Sequence, residues 1–107
     1  RMRVVHLGDG QPLQLEDRWI NPLAVPGGEA VDFRAISPNE WLVRNAPYLR
    51  ADFAFSATNA DAREARLLDT QRGKGLLVME RTTWNDLGAI TTVRLACRPG
   101  YVMRATP

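Results

Sequence analysis

One histidine, one cysteine and a scatter of carboxylates and guanidiniums are the groups with chemistry to offer in this chain. His6, Glu16, Arg18, Thr91 and Arg94 lie in stretches that also carry core-type apolar residues, and Ser37 and Asn39 lie at a predicted helix start. Polar groups set among apolar ones can converge as orienting contacts in an otherwise apolar pocket. The plain alternative is solvent-facing sheet residues that pair with each other or with water, and spacing alone favours it for any single residue. Metal binding finds little support, because His6 and Cys97 stand far apart and no carboxylate cluster has ligand spacing. There is no phosphate-binding loop, dinucleotide fingerprint or nucleophile elbow. Cys97 with His6 would make a thiol and base pair only if the fold joined them, and a buried small thiol is the expected role. No catalytic residue and no cofactor is identified.

The elements that must position these groups centre on Gly75 to Cys97. Gly75 to Trp84 reads as a strand that is apolar on both faces at first and polar towards its end. A turn follows at Asn85-Asp86-Leu87-Gly88, and Ala89 to Cys97 returns through β-branched residues suited to a pleated surface. Near the start, Met2 to Leu7, the turn Gly8-Asp9-Gly10 and the alternation of Leu13 and Leu15 with Gln14, Glu16 and Arg18 predict a first hairpin. Such an opening inside an element carries the expectation that an upstream segment is missing. Asn21-Pro22 ends that strand, Pro26-Gly27-Gly28 reads as an irregular connection, and Phe33 is expected to anchor it by packing inward.

Ser37-Pro38-Asn39-Glu40 combines an N-cap Ser, Pro at the first helical position and Glu three residues after the cap, and predicts a short helix that Pro47 ends. Free N–H groups at that start can also hold an anion, although capping is the expected role of Ser37. Arg50 to Ala57 alternates as a strand, with Ala51, Phe53 and Phe55 on one side. Asn59 is expected to cap a second helix through Leu68, with Ala62, Ala65 and Leu68 as its apolar stripe and Arg63 and Arg66 towards water. Tyr101 to Arg104 is expected to add a closing strand. Two helices against mostly hairpin-linked strands predict an α+β domain with a largely antiparallel sheet.

The totals set bounds. A chain of 107 residues is one domain over residues 1–107, and 45% hydrophobic with 24% charged residues is an ordinary globular composition. No apolar run is long enough to span a membrane, and the opening residues carry no secretory pattern. A single cysteine cannot form an internal disulfide, which fits a reducing compartment, most simply the cytoplasm. The net charge of +2 is spread over interleaved acids and bases, whereas direct nucleic-acid binding wants a clustered basic face.

The ordered motifs resemble the UTRA ligand-sensing domain of GntR-type bacterial transcription regulators. The likeness runs from Leu13-Gln14-Leu15-Glu16-Asp17-Arg18-Trp19-Ile20-Asn21-Pro22 through Ser37-Pro38-Asn39-Glu40-Trp41-Leu42, Ala46-Pro47, Ala60-Asp61-Ala62, Leu67-Leu68 and Gly73. It continues in Leu77-Val78-Met79-Glu80-Arg81-Thr82-Thr83-Trp84 and ends near Val93-Arg94-Leu95. Within the family the chain is most similar to the histidine-utilisation repressors, through Glu16-Asp17-Arg18, Asn21-Pro22 and Ala46-Pro47.

The resemblance implies a chorismate-lyase-like fold that binds a small-molecule effector, urocanate or another small carboxylate. It implies a homodimer that meets operator DNA only through an upstream winged helix-turn-helix domain absent from this chain. The implied effector contacts fall on His6, Glu16, Ser37 with Asn39, and Thr91, with Arg94 and Cys97 on the same final strand. Arg18 or Arg94 would fork a carboxylate, Glu16 would accept from an imidazole N–H, and Trp19 or Trp41 would supply apolar wall. Sugar-phosphate-sensing relatives tend to carry arginine near Val4 and His6, which here occurs only at Arg3. Two rivals stand beside this reading. One is a small lyase or hydrolase on the same fold, with Glu16 as acid or base and Arg94 holding a substrate carboxylate. The other is an oligomerisation module with a vestigial pocket.

Overall fold

In the computed structural model, which describes residues 1–25, 31–45 and 48–106, five strands form one antiparallel sheet. The elements are β1 (Met2–Gly8), β2 (Gln11–Ile20), α1 (Pro38–Asn45), β3 (Arg50–Asn59), α2 (Ala62–Leu67), β4 (Gly75–Asn85) and β5 (Gly88–Cys97). The spatial order β1-β2-β5-β4-β3 puts the last hairpin beside β2 and leaves β1 and β3 at the edges. This is the α+β architecture expected from the sequence. The Pro26-Gly27-Gly28 connection and Ala46-Pro47 lie outside the described residues.

Local chemistry explains the hairpins. Asp9 and Gly10 both have positive φ, the geometry of a two-residue turn whose twist matches the strands it joins. At Gly8, just before it, an added Cβ would meet Leu13 Cδ1, so the Leu13 side chain would have to shift. In the second hairpin the Asn85 side chain closes the turn by accepting the Leu87 N–H at 2.9 Å.

Each directly opposed pair in an antiparallel ladder shares a face, so the register assigns the side chains. Leu15, Val78 and Ala96 lie on one face, where α2 docks, and they form a core with Ala60, Ala65, Leu68 and Leu76. The opposite face carries the rows Glu16, Leu95, Met79, Phe55 and Arg18, Val93, Arg81, Phe53. A second core joins α1 to the far end of β2 and β5, where Leu42 packs with Ala24, Val25 and Ile90, flanked by Ile20 and Trp41. Phe33 meets Trp41 edge to face at 6.1 Å between ring centres, while the connection it was expected to anchor lies outside the described residues.

The expected α1 start is present: Ser37 Oγ accepts the Glu40 N–H at 3.1 Å. The Glu40 carboxylate is engaged by Arg44 one turn later, at 3.0 Å. Three expectations are corrected. The cap of α2 is Asp61, not Asn59: Asp61 and Glu64 form a reciprocal capping box, while Asn59 is the last residue of β3. The buried residues of that helix are Glu64 and Ala65, and Ala62 is exposed. Residues 101–104 add no strand, because the chain leaves the sheet at a turn in which the Tyr101 N–H reaches the Arg98 carbonyl at 3.0 Å.

Candidate functional site

Four of the polar residues singled out in the sequence form one hydrogen-bonded chain on the face opposite α2. Glu16 is centrally placed on β2 and only 4% exposed. Its Oε1 lies 2.9 Å from His6 Nε2 on β1, and its Oε2 accepts from Arg18 Nε at 2.8 Å. Arg18 is 2% exposed and donates from Nη1 to Thr91 Oγ1 at 3.3 Å. Thr91 in turn donates to the Trp19 carbonyl at 2.7 Å.

The backbone explains why they meet. Glu16 and Arg18 are two apart on one strand and therefore share a face, Thr91 stands diagonally across from Arg18 on β5, two residues from Val93, and His6 stands diagonally across from Glu16 on β1. Burial works to raise the Glu16 pKa, but the hydrogen bonds and charges of Arg18 and His6 outweigh it and hold the carboxyl below its ordinary value. An ionised carboxylate only accepts, so Nε2 of His6 carries the shared proton.

Arg81 belongs to this site and the sequence reading passed over it. It lies in the same cross-sheet row as Arg18, separated only by Val93. Burial and the nearby Arg18 charge push its pKa down. Among the described residues, Arg18, Arg81 and Glu16 bring two guanidiniums and one carboxylate to this face. The available signal was Arg81's position in the apolar-to-polar transition of β4.

The remaining expected site residues disperse. Cys97 shares the face, further along β5 and fully buried, where Gln14 Nε2 donates to its Sγ at 3.5 Å. Burial raises its thiol pKa, which suits a packed thiol rather than a nucleophile. Ser37 uses its hydroxyl as the α1 cap. The Asn39 side chain lies outside the described residues.

Arg94 is not brought to the cluster. It sits opposite Asp17 on the α2 face and pairs with Glu64 at 3.3 Å, because odd-numbered and even-numbered positions of a strand point to opposite sides. Trp19 likewise points to the α2 face, where Arg1 stacks on it at 4.8 Å, so it supplies no wall to the Glu16 site. Trp41 is part of the second core. The described residues hold no group of three or more His, Cys, Asp or Glu able to bind a metal. Among them, no helix is long and apolar enough to cross a membrane.

Comparison with known proteins adds an independent line. The UTRA domain family model matches residues 1–101. A histidine utilization repressor of Pseudomonas putida is 34% identical over 92 residues, covering 86% of this chain and 37% of the relative. One from Klebsiella aerogenes is 30% identical over the same length. The chain therefore spans little more than a third of these relatives.

Among solved structures, the C-terminal domain of the histidine utilization repressor from Pseudomonas syringae pv. tomato superposes with a TM-score of 0.83 at 30% identity, over 98% of this chain and 77% of that one. A GntR-family transcriptional regulator from Enterococcus faecalis V583, at 19% identity, shares the fold with a TM-score of 0.75, over 98% of this chain and 79% of its own. These relatives and neighbours are named as repressors and regulators, not as enzymes. The chain belongs to the UTRA domain family and is of the type found in histidine-utilisation repressors.

Proposed function

We propose that this chain is the effector-sensing and dimerising domain of a cytoplasmic bacterial transcription repressor of histidine utilisation, with urocanate as effector. Operator DNA is contacted by a winged helix-turn-helix unit elsewhere in the repressor. The carrying observation is the hydrogen-bonded His6–Glu16–Arg18–Thr91 chain, buried from Glu16 onward, with Arg81 in the next strand but one. Urocanate presents an imidazole ring at one end and a carboxylate at the other. Glu16 is the acceptor for a ring N–H, and the paired guanidiniums of Arg18 and Arg81 are the counter-charge for the carboxylate. The pathway is that of the relatives, which are histidine utilization repressors.

Regulation requires that urocanate bind the DNA-releasing state of the dimer more tightly than the DNA-competent one. Binding at this site has a route to the rest of the sheet, because Glu16 and Arg18 flank Asp17, which faces the opposite side and holds Arg1 at 2.8 Å.

The test is thermal unfolding of the chain against urocanate, histidine, imidazolepropionate and a panel of sugar phosphates. A ligand at a hundred times its dissociation constant stabilises the fold by about 2.7 kcal/mol. Stabilisation by urocanate and not by sugar phosphates is expected. A response confined to a sugar phosphate would remove the histidine-utilisation reading and leave the sensor.

A further inference from the structure

The outer edge of β3 is a large feature that the effector site does not use. This strand is ten residues long, and among the described residues it pairs only with β4. Long edges are usually protected by Pro, Lys, a bulge or shortness. Arg50 to Asn59 contains no Pro, Gly or Lys and pairs with β4 in unbroken register. Phe53 and Phe55 project from the same face of it and are 54% and 59% exposed. Tyr48 and Leu49, just before the strand, are exposed as well. Unpaired backbone groups beside exposed aromatic rings are the features to which another strand adds.

We propose that a second copy of this chain covers that edge, with β3 pairing antiparallel to β3 of the partner about Ala54, so that the two sheets join into one. The proposal rests on the homodimer reading above and gives it a location and a register. A strand paired antiparallel with itself has a two-fold axis, the commonest symmetry of dimers. Registers in which opposed residue numbers sum to an even value put the same face of both sheets on one side, so the phenylalanines of the two copies meet. Odd sums set each Phe against the Ala54, Asp52 and Ser56 side of the partner strand.

Among the even registers, centring on Ala54 opposes Phe53 to Phe55 twice, Asp52 to Ser56 and Arg50 to Thr58. That gives two aromatic cross-strand pairs and no opposed like charges. Centring on Phe53 or on Phe55 leaves one aromatic pair and sets the other ring against Ala51 or Ala57. The Ala54 register also places both Glu16 sites on one face of the joined sheet.

Three measurements on the 107-residue chain test this: mass by light scattering, disulfide trapping of Phe53→Cys, Ala54→Cys, Phe55→Cys and Thr58→Cys, and the mass of Phe53→Glu/Phe55→Glu. The expected result is a dimer that Ala54→Cys locks covalently, since opposed Cα atoms about 4.5–5.5 Å apart suit a disulfide. Thr58→Cys, which opposes Arg50, should not lock. The double Glu variant should keep its circular dichroism and dissociate at least about a hundredfold more readily, because like charges would face each other. A dimer untouched by the double Glu variant and not trapped through Ala54→Cys would overturn this interface and leave the homodimer reading standing. A monomer at all concentrations would overturn both. Trapping through Phe53→Cys or Phe55→Cys in preference to Ala54→Cys would overturn the register.

Discussion

Replacing Glu16 by Ala tests whether the buried ion pair holds this part of the sheet together. The substitution removes the carboxylate that both His6 and Arg18 engage, and leaves the Arg18 guanidinium, 2% exposed, with Arg81 as a like-charged neighbour in its row. Breaking one partner of a buried pair costs about 3–5 kcal/mol. Thr91 still accepts from Arg18, so we expect the lower end, about 3 kcal/mol. That is a large share of the roughly 5–15 kcal/mol by which domains are stable.

Urea unfolding followed by tryptophan fluorescence measures it, with an unchanged slope against denaturant as the check on two-state behaviour. Glu16→Gln keeps an acceptor and should lose less, about 1–2 kcal/mol. Glu16→Ala with Arg18→Met should recover part of the loss, because the orphaned cation is gone. A cost below about 1 kcal/mol for Glu16→Ala, or costs of the two single changes that simply add, would refute the reasoning.

Further outcomes follow from the same geometry. The folded-state pKa of Glu16 is depressed, so its contribution is complete above the ordinary carboxylate range and is lost as pH falls through the depressed value. The stability gap between the wild-type chain and Glu16→Gln should therefore close on acidification, as read by urea titrations from neutral pH downwards. Asp61→Ala should cost about 1 kcal/mol through the α2 cap, while Asn59→Ala at the end of β3 should cost less than half of that. Equal losses in thermal unfolding would argue against the assigned cap. Leu68→Ala, at a fully buried position between α2 and the sheet, should cost about 2–5 kcal/mol and lower the urea midpoint without moving the slope.

The hairpins were legible because their signals are local. Asp9-Gly10 and Asn85-Asp86-Leu87-Gly88 carry turn chemistry in the residues themselves, and Ser37-Pro38-Asn39-Glu40 carries its own cap. Asp61 was harder, since Asn59 and Asp61 are both good caps and the choice depends on where β4 releases β3 from the sheet. Glu16, Arg18 and His6 meet within the first hairpin, but Thr91 joins them only because β5 lies beside β2, an order that no local pattern encodes.

Arg94 shows the limit most clearly. Its type suits an anion and its strand is the right one, yet parity along β5 turns it towards Glu64 on the other side. Arg81 shows the converse, a residue of suitable type in a quoted motif whose place beside Arg18 becomes visible only in the strand register. Phe53 and Phe55 alternate as expected for a half-buried strand, but their face is uncovered in the single chain.

The central claim is that the sensing site lies on the Glu16 face of the sheet and not on the α2 face. Titration calorimetry of urocanate into the wild-type chain, Arg81→Gln and Arg94→Gln compares a guanidinium on each face directly. Loss of one charge-assisted contact weakens binding by about tenfold or more. The account predicts that loss for Arg81→Gln, with Arg94→Gln binding as the wild-type chain does. Weakening by Arg94→Gln with Arg81→Gln unaffected would contradict it.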